Sequence, residues 1–209
     1  SSAATLEYSA SAAQTFTGVI SGAGALLKDT NSSTLVLSGT SSYSGPITVS
    51  SGALQVAGTG VLGSGSGSYT GTVSLASATV LQYSSSAAQT FGGVISGAGA
   101  LVKGTSTSST LFLTAANTYT GGTTISAGTL ALGANNVLAD GGNVTVNGGT
   151  LNLGTFSDSV ATVSLQGGGT ITASNTLATL TSSATYDLQS GTASAILAGT
   201  VAASKTGSG

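Results

Sequence analysis

The stretch Gly18-Val-Ile-Ser-Gly-Ala-Gly-Ala-Leu26 returns unchanged as Gly93 to Leu101. A repeat of this kind decides the architecture before any local propensity does, because each unit must bury its apolar side against the next. Outward from that core the match continues, and Leu6 to Gly63 recurs as Leu81 to Ala139. Tyr8 and Phe16 return as Tyr83 and Phe91 at one constant offset. Tyr43, Val49, Leu54 and Val56 return as Tyr119, Ile125, Leu130 and Leu132, each displaced by one position more. The added residue falls in the Ser/Thr/Asn-rich segment after Asp29 and before Leu111, where a tolerated insertion marks a surface turn.

A finer period runs beneath the long one. Thr34-Leu-Val-Leu37, Ile47-Thr-Val49, Ala53-Leu-Gln-Val56 and Thr72-Val-Ser-Leu75 alternate apolar and polar residues, and so do Val144-Thr-Val146 and Thr150-Leu-Asn-Leu153. Each run is short and bounded by Gly, Ser or Asn, which is the signature of strands and turns. No capped 3.6-residue stripe occurs, so helices are expected to be scarce. Val144 and Val163 form a similar pair, and so do Leu151 and Ile171, at almost the same separation. That separation, about 20 residues, is one rung of a parallel β-helix: three short strands and three corners, stacked on the rung before. The expected fold is therefore all-β, a right-handed parallel β-helix (solenoid) of about 20 residues per rung. It comprises the repeats 6–63 and 81–139 and further rungs over 140–209. A β-sandwich uses similar strands but does not account for nested repeats. An amyloid-prone, partly disordered chain is the other alternative.

Composition narrows the chemistry. The 209 residues include 33 Gly, three Lys, five acids, no His and no Cys. An apolar share of 40% is enough for a core, while charged residues are only 4%, far below the roughly 25% of ordinary domains. A disordered tail would need the opposite balance. Lys28, Lys103 and Lys205 are too few and too scattered for nucleic acid or anionic lipid. Without Cys there is no disulfide or thiolate metal site, which suits an exported chain. No signal peptide or transmembrane helix pattern is present, and the start at Ser1 suggests a piece of a longer polypeptide. The tail Ala198 to Gly209 reads as a cut rung or linker. Exposed rung ends predict end-to-end stacking of the isolated segment.

The segment Leu113-Thr-Ala-Ala-Asn-Thr-Tyr-Thr-Gly-Gly-Thr-Thr-Ile-Ser-Ala-Gly-Thr-Leu-Ala-Leu132 closely resembles the passenger-associated transport repeat of bacterial autotransporters. Its earlier copy runs from Leu37 to Val56 and departs by holding Pro46 where the later copy has Gly122, and Ser42 where that copy has Asn117 or Thr118. The resemblance implies export through the outer membrane by a C-terminal translocator barrel of the same polypeptide, not in this chain. Folding would follow at the cell surface or in the medium. The motif occurs in adhesins, cytotoxins and protease stalks, so it names no activity. Within it, Tyr43 and Tyr119 are expected to pack over a corner with the hydroxyl at the surface. Gly45, Gly121 and Gly122 are expected to form one turn, and Gly52 and Gly128 the next.

Catalytic chemistry finds little purchase. A Ser-His-Asp or Cys-His site cannot form without His or Cys. Glu7, Asp29, Asp140, Asp158 and Asp187 are scattered. Glu7 and Asp29 are replaced by Gln82 and Gly104 in the second copy, so repetition does not preserve charge. Asp158 and Asp187 could still meet other acids across rungs. Gly22-Ala-Gly24 and Gly167-Gly-Gly169 lack the Lys and helix of a phosphate loop. Calcium repeats of the Gly-Gly-x-Gly-x-Asp type are absent, and no catalytic, cofactor or metal site is expected. The chain is expected to be no enzyme but a structural or adhesive module, binding host glycan or matrix or another copy of itself, and no nucleic acid. A passive stalk presenting a separate toxin or enzyme is the alternative. Ice binding through Thr123, Thr124, Thr145, Thr170 and Thr172 would need one flat threonine face, and their spacing looks irregular. Phe156 reads as core or as a contact residue.

Overall fold

The computed structural model describes residues 4–29, 31–63, 67–200 and 203–207. These residues form a β-solenoid of about 9 turns with roughly 21 residues per turn, and every strand pairing is parallel. One face stacks Thr5–Tyr8, Ala25–Lys28, Ile47–Val49, Val73–Leu75 and Ile95–Gly97. A second runs Gln14–Phe16, Thr34–Leu37, Ala53–Val56, Val80–Tyr83, Ala100–Lys103, Thr123–Ile125, Asn143–Asn147, Asp158–Gln166 and Thr179–Leu188, ending in Ile196–Ala198 and Ala203–Ser204. The third stacks Ser68–Tyr69, Gln89–Phe91, Thr110–Leu113, Thr129–Leu132, Thr150–Asn152, Gly169–Thr172 and Gly191–Ala193. The short pair Ser21–Gly22 and Ser42–Tyr43 lies apart from these sheets. Of the tail read as a cut rung or linker, Ala203–Ser204 pairs with Tyr186 and Asp187, whereas 201, 202, 208 and 209 lie outside the described residues.

Period-two alternation sets the core. Inward residues stack on inward residues in register: Leu26 on Ile47, and Leu35 on Leu54, which lies on Leu81 and then Leu101. All are buried. Burying such a side chain contributes about 1.5–3 kcal/mol, so the ladder, more than any one strand, holds the fold. Rung length is less uniform than the spacing of Val144 and Val163 implies. On the first face Leu26 lies beneath Ile47 and Ile47 beneath Val73, and the second of these steps takes the longer stretch of chain.

The two copies do not occupy equivalent faces. Thr5–Tyr8 lies on the first face and its counterpart Val80–Tyr83 on the second. Thr34–Leu37 and Ala53–Val56 lie on the second face, and Thr110–Leu113 and Thr129–Leu132 on the third. The duplication thus advances three rungs and one face. Alternation is all that a face requires of its strands, so one sequence fits more than one face.

Irregular rungs are joined by buried polar side chains rather than by strand ladders. Ser41 Oγ accepts from the Ile20 N–H at 3.1 Å. Asn117 Oδ1 accepts from the Ile95 N–H at 2.7 Å, and its Nδ2 donates to the Val137 carbonyl at 2.6 Å. Such bonds satisfy backbone groups that would otherwise be buried without partners.

Candidate functional site: the repeat corners and the outward faces

Tyr43 and Tyr119 are buried, correcting the expectation of a surface hydroxyl. The Tyr43 hydroxyl donates to the Pro46 carbonyl at 2.6 Å, and that of Tyr119 shares a 2.6 Å bond with Thr123 Oγ1. Each finds its partner a few positions onward in its own turn, so neither needs water. Burial pushes the Tyr43 phenol up to about 12 and raises that of Tyr119 further. Inside the solenoid Tyr43 stacks on Tyr69, with ring centroids 6.2 Å apart, and Tyr69 meets Phe91 edge-on at 5.8 Å.

Two glycine positions carry distinct constraints. Gly45 packs against the rung beneath, where a Cβ would run into the Gly24 carbonyl oxygen. Gly121 likewise sits over Gly99. Gly52 and Gly128 have φ of +69° and +64°, where an L side chain is strained. Gly122 has φ +87°, a value closed to the Pro46 of the other copy.

Gly52 and Gly128 each lie over a corner held by a lysine that the sequence alone did not single out. Lys28 and Lys103 are fully buried. Lys28 Nζ donates to the Asn31 carbonyl at 2.6 Å and the Asp29 carbonyl at 3.1 Å, and lies 5.5 Å from the Tyr8 ring centroid. Lys103 Nζ donates to the Ser106 carbonyl at 3.0 Å and lies 5.8 Å from the Tyr83 ring. Carbonyl dipoles and a ring face stand in for a counter-ion. Burial lowers both amines, Lys103 to about 8, while the Asp29 charge partly offsets the effect at Lys28. The signal was present: Leu26-Leu27-Lys28 and Leu101-Val102-Lys103 put the lysine on the inward phase in both copies.

The acids do not form a cluster of three, although Asp140 lies near enough to Asp158 for its charge to push that carboxyl up. Glu7 and Asp187 lie on outward strand positions in widely separated rungs, whereas Asp158 is buried. Among the described residues no group of three His, Cys, Asp or Glu side chains could hold a metal. Outward strand positions between Gln14 and Thr172 carry no charge. On the third face Thr110, Thr129, Thr150, Thr170 and Thr192 align in one column through successive rungs. Their sequence spacing varies, yet their register does not. The threonines considered for ice binding fall otherwise: Thr123 is inward and buried, Thr124 and Thr145 pair on the second face, and Thr170 and Thr172 lie on the third. Phe112 is a large apolar side chain left outward on the third face, 39% exposed. Phe156 is partly buried against the core.

A family description, the passenger-associated-transport-repeat, matches residues 27–56 and 108–132. Two segments of the chain are thus similar to this one repeat. Each begins before the Leu37 and Leu113 where the resemblance was legible, and the first takes in Lys28. Together with the solenoid, the transport repeats fit an autotransporter passenger, and they imply a secreted or surface-exposed protein. No curated protein and no solved structure matches the chain.

Proposed function

We propose that this chain is a rung segment of an autotransporter passenger whose outward faces serve surface attachment or self-association. The transport repeats and the parallel solenoid support the passenger assignment. The observation behind adhesion is the run of uncharged faces, whose outward positions mix Thr, Ser, Asn and Gln with Ala, Val and the exposed Phe112. Such a surface meets a glycan, a matrix chain or another copy without charge repulsion, and its hydroxyls supply hydrogen bonds. A stalk that presents a separate toxin or enzyme is the second reading, favoured by the dispersal of the acids and by the use of Asp158 as a backbone acceptor. Cells displaying the passenger with and without residues 1–209 separate the two. Loss of binding to a glycan and matrix array, or of cell clumping, at equal display supports attachment. Unchanged binding and clumping leaves the stalk.

A further inference from the structure

The two ends of the solenoid leave complementary edges open. Among the described residues, Thr5–Tyr8 and Gln14–Phe16 are paired on one edge, with Ala25–Lys28 and Thr34–Leu37. At the far end Gly191–Ala193 is paired on one edge with Gly169–Thr172, and Ile196–Ala198 and Ala203–Ser204 with Thr179–Leu188. All these pairings are parallel, so the near end shows edges that face an earlier rung and the far end edges that face a later one. Exposed large apolar side chains follow the same division. Leu6, Phe16 and Val19 lie at the near end and Leu177 and Ile196 at the far end, with Val94 and Phe112 between. A groove of about 110 Å³ runs among Leu6, Tyr8, Phe16, Ile20 and Leu37, and one of about 240 Å³ among Leu165, Leu188, Gly191 and Ala193. Glu7 lines the first and Lys205 the second, where Asp187 already accepts from Thr206 and Gln189.

The internal repeat shows what such a near end accepts. Leu81, Tyr83 and Phe91 are the counterparts of Leu6, Tyr8 and Phe16. There another rung of the same chain covers them: Leu54 lies on Leu81, Val56 on Tyr83 and Tyr69 on Phe91. Those covering strands belong to the second and third faces, the two faces whose edges are open at the far end. We propose that the near end of one copy of this chain takes the far end of another. Thr5–Tyr8 and Gln14–Phe16 then add to the open edges at Gly191–Ala193 and Ile196–Ala198, and copies join head to tail. Joined copies are turned by one face, as the two copies of the repeat are. The joint continues the rung interface that already holds the chain together: ladder bonds satisfy the open edges, and Leu6 and Phe16 leave water. Glu7 and Lys205 bring opposite charges to it. The two surfaces differ, so the joint is heterologous; repeated along the solenoid axis it does not close, and it gives a filament. A few short strand edges make a small contact, so copies part on dilution. The inference rests on the self-association reading and moves the contact from the outward faces to the ends.

Sedimentation velocity of the whole chain over a rising concentration series tests the joint. The mean mass of the unaltered chain should climb to at least about threefold that of one copy, with no closed species at which growth stops. One variant blocks the near end, Leu6→Lys with Phe16→Lys, and another the far end, Ala193→Lys with Ile196→Lys. All four side chains are exposed, so the substitutions leave the core intact. Each blocked chain alone should stay single. Mixed, the two should form a one-to-one pair that grows no further, because one free near end meets one free far end. An unaltered chain that stays single at every concentration overturns the proposal. A far-end-blocked chain that still pairs with itself overturns it as well, since like ends would then be meeting. Assembly that survives both blocks also sinks the joint, while leaving self-association through the outward faces standing.

Discussion

In the second copy of the repeat Leu81, Tyr83 and Phe91 are buried against Ala53–Val56 and Ser68–Tyr69. In the first copy Leu6 and Phe16 are 48% and 44% exposed. The residues are the same, the strands are of the same kind and the inward phase is unchanged. What differs is the neighbour: among the described residues Val80–Tyr83 and Gln89–Phe91 are paired on both edges, and Thr5–Tyr8 and Gln14–Phe16 on one. Burial in a solenoid therefore belongs to the pair of rungs and not to the residue, and stability accrues at rung interfaces.

The largest expected effect separates the copies by truncation. Leu81→Ala and Phe91→Ala should each destabilise by about 3–5 kcal/mol, because each leaves a cavity between stacked rungs. Leu6→Ala and Phe16→Ala should cost about 1 kcal/mol or less. Denaturant unfolding of the four variants measures the contrast. Equal losses at Leu6 and Leu81 would mean that the first copy is covered in solution.

A smaller effect lies in the turn where the copies differ. The Pro46 carbonyl accepts from Leu26 N–H at 2.9 Å, and the Gly122 carbonyl from Leu101 N–H at 3.0 Å, so both turns feed the same bond to the strand beneath. Their backbones are not interchangeable, since Gly122 has φ +87° and proline is held near roughly −65°. Gly122→Pro should cost about 3 kcal/mol, and Pro46→Gly about 0.4–1 kcal/mol through the freer unfolded chain. Thermal melts of the single variants and of the double swap check both, and a neutral Gly122→Pro would show that the turn tolerates either backbone.

Rung architecture was legible because alternation and repetition are properties of the chain itself. Leu35, Leu54 and Leu101 could be placed inside from their phase alone, and the transport repeat could be recognised around Tyr43 and Tyr119. The advance of one face between copies could not, because alternation is identical on all three faces and only corner lengths choose among them. The hydroxyls of Tyr43 and Tyr119 were misplaced because their acceptors sit within the same turn, a matter of backbone path rather than residue type. The burial of Lys28 and Lys103 runs against the usual exposure of lysine, although alternation places both on the inward phase. Asp158 could not be foreseen: its partners Val137 and Leu138 lie a full rung away.

The smallest effect concerns what the copies share, the lysine corner. Burial lowers Lys103 to about 8 and lowers Lys28 as well, whereas an unfolded chain keeps its lysines protonated to about 10.4. Between those values the unfolded state binds more protons, so stability rises with pH across this window and is lower, by a constant amount, below about 8. Asp158 acts in the opposite sense, contributing stability in acid that is lost as pH rises through about 6. Of these two groups, neither adds to stability between about pH 6 and about pH 8. Lys103→Met should remove part of the rise above pH 8, and Lys28→Met a smaller part, because the charge of Asp29 already offsets the burial of Lys28. Melts across the alkaline range for the two variants rank the corners. A rise that persists undiminished in Lys103→Met would show that the amine reaches water in solution and that its carbonyl partners bind it without drying it.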